Sequence, residues 1–361
     1  MQSKNRVERS PLITLIFSVV IFFLLLDFIA GQIFIIEELR PCNLDYSHDL
    51  KKNLKVKDPW GLVDCTLFTN SLGFKDNKNR NIELVSDKYR ILFIGDSFTE
   101  GVGYPYDSTF VGLFAQRLNK EKFEVLNAAV VGYSPKIYYL KLKYLLESKG
   151  LRFNELFVFI DISDIRGELF YKDFCRGRID LRQQIDLFLR NNFYFMGDLK
   201  ARLRIGLRFR TILARLFSRL GNQKKMDDLI VESVGASAKL VTEKESYEKW
   251  GRKGFTLAEQ NMHLVYELCR KYNIKMQVAV YPWPCQIKNR DLNSIQVRFW
   301  ENFCRQRQIG FLNYSPYFIN DEEDNKIIAK YFIEHDVHWN EAGHKLIADV
   351  LYGYWSNAGG R

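Results

Sequence analysis

The chain has 361 residues, with 53 Lys and Arg against 43 Asp and Glu, a net charge of +10 at pH 7. That length buries a sizeable core, as one large domain or one domain carrying an insertion. With 28 Phe, 19 Tyr and neither a low-complexity segment nor an internal repeat, the composition excludes a disordered or repeat protein.

The first element is apolar. Residues 12–36 are almost wholly hydrophobic, interrupted by Asp27, and about 25 such residues suffice to cross a bilayer with some tilt. Lys4, Arg6 and Arg9 precede the stretch while Glu37 and Glu38 follow it. This charge bias keeps residues 1–11 in the cytoplasm as a short tail. The expectation is a single-pass anchor in the cytoplasmic (inner) membrane, with the rest of the chain on the extracytoplasmic side. A cleaved signal peptide, with Ala30-Gly31 near its site, is the rival reading, and the length of the apolar stretch speaks against it.

Residues 37–69 read as a linker to a core that runs from 70 to 361. The linker holds Cys42 and Cys65, and an oxidising compartment permits a disulfide between them. The six cysteines show no Cys-x-x-Cys spacing, so no zinc or redox site is expected.

The core opens on Ile91-Leu92-Phe93-Ile94 and then Gly95-Asp96-Ser97. An apolar run without alternation predicts a central strand covered on both faces, as in a parallel sheet. Ligands of such sheets gather at the carboxyl ends of the strands. Ser97 is therefore a candidate nucleophile, although a helix-capping serine in an ordinary turn has the same local sequence. Downstream, helices are expected over 110–118, 136–149, 257–271 and 294–307, and strands over 123–127, 155–161, 275–281 and 310–313. Such alternation implies a three-layer, doubly wound parallel sheet of the α/β class. Tyr281-Pro282-Trp283-Pro284 follows one strand, leaving Trp283 to face either a cleft or the core.

Near the C-terminus stands Glu334-His335-Asp336-Val337-His338-Trp339-Asn340, ahead of Leu346, Ile347, Val350 and Leu351 at helical spacing. Asn340 is suited to cap that helix, leaving Asp336 and His338 on the loop before it. A serine nucleophile needs a base, and the base needs a carboxylate to fix its tautomer. Residues two apart in an extended loop point the same way, so Asp336 is placed to orient His338 while the other ring nitrogen faces Ser97. Of the other histidines here, His335 is a possible substitute base and His344, inside the helix, reads as structural.

These motifs together resemble the SGNH, or GDSL-type, hydrolase superfamily. The Asp-x-His-Trp motif at Asp336–Trp339 is similar to that of membrane-anchored bacterial envelope proteins such as alginate O-acetyltransferases. The resemblance covers the chain from about Asn70 to the C-terminus, and Asn70-Ser71-Leu72-Gly73-Phe74-Lys75-Asp76 looks like a segment that often precedes the nucleophile strand in anchored members. It implies an SGNH hydrolase-like, flavodoxin-like fold and the catalytic set Ser97, Asp336 and His338. The second block appears as Asn127-Ala128-Ala129-Val130-Val131-Gly132, implying the Gly132 N–H as an oxyanion donor. The third block, usually Gly-x-Asn-Asp, here reads Asp161-Ile162-Ser163-Asp164, so Ser163 stands where the superfamily has an oxyanion asparagine. Asp336 lies two residues before His338 rather than three, a spacing that fits the acyltransferase-like branch.

Residues 166–254 interrupt this pattern with a basic helical insertion. Between Arg176 and Lys225 there are 13 Lys and Arg against 3 Asp, a net of +10. Arg202, Arg204, Arg208, Arg210, Arg215 and Arg219 alternate with apolar residues, a pattern suited to an anionic lipid surface. A solvated cap over the active site is the other reading. Nucleic acid is not expected as a partner outside the cytoplasm.

The expectation is thus a serine esterase acting on O-acyl, above all O-acetyl, esters of envelope glycans, without metal or organic cofactor. Gly95, Gly101 and Gly103 do not fit a dinucleotide fingerprint. An O-acyltransferase using the same three residues, or a non-catalytic glycan-binding scaffold, are the alternatives.

Overall fold

The computed structural model describes residues 11–34, 39–58, 64–174, 235 and 237–357. The helix Pro11–Phe34 (α1) belongs to a different compact unit from the sheet and is described by itself. Its apolar side chains are exposed, Phe17 by 68% and Phe23 by 64%. Residues 14–30, whose side chains are described, extend roughly 26 Å at helical rise, against about 30 Å for a bilayer's hydrocarbon. Among the described residues no helix is long and apolar enough to cross a membrane; the end of the span expected over 12–36, residues 35 and 36, lies outside them. Most of the basic insertion, including Arg202 to Arg219, lies outside the described residues.

The sheet has eight strands: Lys55–Lys57 (β1), Thr66–Thr69 (β2), Lys75–Asp76 (β3), Tyr89–Ile94 (β4), Phe123–Asn127 (β5), Glu155–Ile160 (β6), Lys275–Val280 (β7) and Gly310–Asn313 (β8). Their order is β8-β7-β6-β4-β5-β3-β2-β1. The five strands from β8 to β5 are parallel, and β3, β2 and β1 continue the sheet antiparallel. The sheet is therefore mixed rather than wholly parallel as the sequence suggested. The added strands are two to four residues long, too short for an alternation to register.

Strand β4 is central, with Leu92 paired to Leu126 of β5 on one side and Leu156 of β6 on the other. Leaving β4, the chain first takes the β5 side and then crosses to β6, so the carboxyl end of β4 is a topological switch point, where open α/β sheets form their crevices. Ile91 to Ile94 are fully buried and so are Leu156 to Ile160, as strands covered on both faces must be. The covering helices fall into two packed groups. Phe110–Gln116 (α3) packs on Glu341–Asn357 (α8), while Pro135–Lys143 (α4) packs on Ile162–Tyr171 (α5) and Arg252–Lys271 (α6). In α6, buried Phe255, Ala258, Met262, Val265 and Cys269 recur at helical spacing. Ile295–Arg307 (α7) carries buried Trp300 and leads into β8.

Residues 39–58, assigned by sequence to the linker, pack on the core instead. Lys141 of α4 is fully buried and its Nζ lies 2.7 Å from Asp49 Oδ1. Tyr46 Oη donates to the other Asp49 oxygen at 2.7 Å, and Tyr133 Oη donates to the His48 carbonyl at 2.6 Å. Burial pulls the Lys141 amine below its ordinary pKa, with Asp49 opposing. Cys65 carries a free thiol, so the disulfide considered between Cys42 and Cys65 is not formed. Removing one partner of a buried pair strands the other charge. Asp49→Ala should accordingly lower stability by about 3–5 kcal/mol, read as a clear fall in melting temperature, and the Asp49→Leu/Lys141→Met pair should lose markedly less.

Candidate active site

Strand β4 runs into Gly95, where a Cβ would lie 2.2 Å from Thr99 Oγ1 and 2.7 Å from Thr99 Cβ, so only glycine lets the chain fold back this tightly. The turn continues into the single-turn helix Ser97–Glu100 (α2), capped by Asp96, whose Oδ1 accepts from the Phe98 N–H at 3.0 Å. Ser97 is thereby set at the first position of a helix at the switch point. The capping residue is Asp96, one position before the serine, so Ser97 Oγ is left for other partners.

The second half of the site comes from the other end of the chain. Asn340 Oδ1 accepts from Gly343 N–H at 3.0 Å, capping α8 as its sequence predicts. Trp339, 1% exposed, wedges its ring among Phe98, Phe110 and Tyr281. One residue earlier, His338 Nε2 lies 2.8 Å from Ser97 Oγ and Nδ1 lies 2.6 Å from Asp336 Oδ1. Asp336 Oδ1 also accepts from the backbone N–H groups of Val337 at 2.6 Å and His338 at 3.1 Å. Burial pushes the Asp336 carboxyl upward, but the hydrogen bond and charge of His338 outweigh it and hold the group below its ordinary pKa. An ionised Asp336 accepting from Nδ1–H leaves Nε2 as the basic nitrogen facing the hydroxyl. The Phe98 ring, 4.6 Å from that of His338 between centroids, limits the imidazole's freedom.

The structure brings Ser97, Asp336 and His338 together. The His335 side chain is 54% exposed, with Nε2 3.5 Å from Glu334 Oε1. His344 is buried with Nδ1 3.3 Å from the Phe110 N–H, and burial, with Lys75 and His338 nearby, pushes its pKa down to about 3. Neither is positioned as a base for Ser97.

Gly132 lies in the loop after β5 at φ +79°, with open space where a Cβ would be. Among the described residues nothing accepts from its N–H. Ser163, at the start of α5, is committed elsewhere. Its Oγ lies 2.6 Å from Asp161 Oδ1 and 3.2 Å from Asp96 Oδ2, both acceptors. A hydroxyl has one proton, and the 2.6 Å contact directs it to Asp161 Oδ1. Trp283 is likewise a core residue, 5% exposed, donating from Nε1 to Asp161 Oδ2 at 2.8 Å.

Sequence reasoning did not foresee this buried acid cluster. Tyr281 Oη sits 3.3 Å from both Asp96 Oδ1 and Asp161 Oδ2, and Asp164 accepts from Tyr138 Oη at 2.7 Å and the Asp161 N–H at 2.8 Å. Burial first, and then the neighbouring carboxylates, hold Asp96 and Asp164 well above the usual carboxylate range. Burial also raises Asp161, against the hydrogen bonds from Ser163 and Trp283. The only signal was three aspartates flanking strand ends, which any loop displays. Among the described residues no group of three or more His, Cys, Asp or Glu is placed to hold a metal ion.

No family model and no curated protein matches the chain. Solved structures do. An acetyl xylan esterase, AlAXEase, aligns at TM-score 0.40 and 13% identity over 73% of this chain and 98% of its own. A GDSL-like lipase from Bacteroides thetaiotaomicron gives 0.39 and 12%, over 76% and 93%. The psychrotrophic esterase EstA from Pseudoalteromonas sp. gives 0.38 and 11%, over 76% and 100%.

The acid cluster has a pH signature. A carboxyl whose folded pKa is raised favours folding while protonated, and that contribution is lost as pH rises through the folded pKa. Asp96→Asn removes one charge from the cluster and keeps an oxygen for the Phe98 N–H. The variant should therefore melt above the wild type at pH 8, with the gain shrinking towards pH 4, near the ordinary carboxylate pKa of about 3.9. Equal gains at both pH values would contradict the raised pKa.

Proposed function

We propose that the chain is a serine-dependent ester hydrolase of the SGNH type. The observation that carries this reading is the hydrogen-bonded series Asp336–His338–Ser97, with the basic nitrogen 2.8 Å from the hydroxyl. Ser97 Oγ attacks the ester carbonyl and His338 Nε2 takes its proton. The oxyanion is held by the N–H of Ser97 and the N–H of Gly132; Ser163, with its proton directed to Asp161, is not required. His338 passes the proton to the departing alkoxide, leaving an acyl group on Ser97. Water, deprotonated by the same imidazole, then releases the acid.

For substrate we propose an O-acetyl or similar short ester on a glycan, with transfer to a sugar hydroxyl as the outcome where an acceptor replaces water. The Asp336-Val337-His338-Trp339 motif supports that choice through its resemblance to envelope acyltransferases. We further propose that α1, together with the apolar residues around it, anchors the chain in the cytoplasmic membrane with the sheet outside. Its support is the exposed apolar surface of the helix and the flanking charges, Lys4, Arg6 and Arg9 before and Glu37 and Glu38 after. An anionic lipid surface near the basic insertion is consistent with its composition.

A fluorophosphonate probe on the full-length chain tests the chemistry. Wild type should be labelled and should hydrolyse p-nitrophenyl acetate; Ser97→Ala should abolish both. His338→Ala and Asp336→Asn should each cut kcat by at least about 10²-fold. Absence of labelling in folded wild type would sink the enzyme reading in favour of a scaffold. For the anchor, the full chain should stay in the membrane pellet after carbonate washing while a variant lacking residues 1–36 should not; a soluble full-length chain would refute it.

A further inference from the structure

The loop that presents Gly132 is held by side chains from outside the motif. The Val131 N–H donates to Glu100 Oε2 at 2.8 Å, and Glu100 in turn pairs with Arg40. The Val131 carbonyl lies 2.8 Å from His48 Nε2. A carbonyl only accepts, so His48 carries its proton on Nε2, and Nδ1 accepts from Ser47 Oγ at 3.2 Å. Burial lowers the His48 pKa, which keeps this neutral tautomer in place. The Tyr133 ring stands edge-on to the imidazole at 5.0 Å.

The Val131 C=O and the Gly132 N–H belong to one planar, trans peptide and point in opposite directions. Fixing the carbonyl fixes the N–H. At φ +79° Gly132 has wide backbone freedom, and on its far side, among the described residues, the side-chain hold is Tyr171 Oη, donating to the Gly132 carbonyl at 3.2 Å. Ser47 is itself held at φ +85°, a region unfavourable for serine, where its hydroxyl reaches His48.

We propose that His48 is a positioning residue for the ester chemistry: by donating to the Val131 carbonyl it holds the Gly132 N–H toward the oxyanion. The proposal rests on the esterase reading above. Because Ser163 is not free to donate, the two backbone N–H groups carry the oxyanion, and tilting one of them weakens the transition state more than substrate binding.

The test uses the full-length chain, p-nitrophenyl acetate and the fluorophosphonate probe. His48→Met keeps side-chain length without a donor, and His48→Gln restores an N–H at similar reach. We expect His48→Met to lower kcat by about 10- to 100-fold, with KM within about twofold, and to slow probe labelling in parallel. His48→Gln should stay within about threefold of wild type. A His48→Met enzyme with unchanged kcat, or a His48→Gln enzyme more than tenfold slower, overturns the role of His48 while wild-type activity leaves the esterase reading standing. A wild type that neither hydrolyses nor labels at Ser97 overturns both.

Discussion

The Ser97–His338 hydrogen bond joins residues 241 positions apart in sequence, and everything proposed for this chain depends on that closure. The closure is not made by Ser97, His338 and Asp336 themselves. A loop carrying an aspartate and a histidine is polar and has no reason to dock. Trp339 supplies the reason, since its ring lies buried among Phe98, Phe110 and Tyr281 and fully burying a side chain of that size is worth a few kcal/mol. Backbone bonds then set the angle: Ile333 N–H to the His338 carbonyl at 3.0 Å, and Asn340 N–H to the Tyr331 carbonyl at 3.0 Å. Phe98 contributes twice, packing on Trp339 and on the imidazole itself. Ser97 and His338 are thus positioned by one aromatic cluster.

How much of this was legible in the sequence follows from where the information resides. Strands β4 and β6 were readable because burial on both faces demands a continuous apolar run. Helix α8 was readable from Asn340 and the spacing after it. The three residues of the series were readable because their chemistry is specific in type and order. The antiparallel extension was not, since Lys75 and Asp76 are buried polar residues in a two-residue strand, and no periodicity marks them. Residues 39–58 failed for a related reason. Their hold on the core includes a buried network around Asp49 and Lys141, and nothing local in Tyr46–Asp49 says that a lysine 92 positions away lies opposite.

Ser163 shows a different limit. Its place in the motif suggested an oxyanion donor, but a hydroxyl donates once, and the buried Asp161 carboxyl lies 2.6 Å from it. Position in a motif reports where a side chain begins; the neighbours decide where its proton goes. The same logic applies to Trp283, which sits at a strand's carboxyl end yet spends its indole N–H on Asp161.

Charge is distributed along the Gly95–Gly101 turn in a consistent direction. At the start of α2, Asp96 accepts from the backbone N–H of Phe98. At its end, the fully buried Lys75 donates from Nζ to the carbonyls of Gly101 at 2.6 Å and Tyr104 at 2.7 Å. Helix starts leave N–H groups unpaired and helix ends leave carbonyls unpaired, so an acid at one end and an amine at the other satisfy both. Burial works against each charge, raising the carboxyl pKa of Asp96 and lowering that of the Lys75 amine. Such groups persist only if their hydrogen bonds offset the desolvation. The four-residue α2, too short to hold itself, is therefore fixed from outside at both ends. The Ser97 N–H, which the proposed mechanism needs unpaired, is left between them.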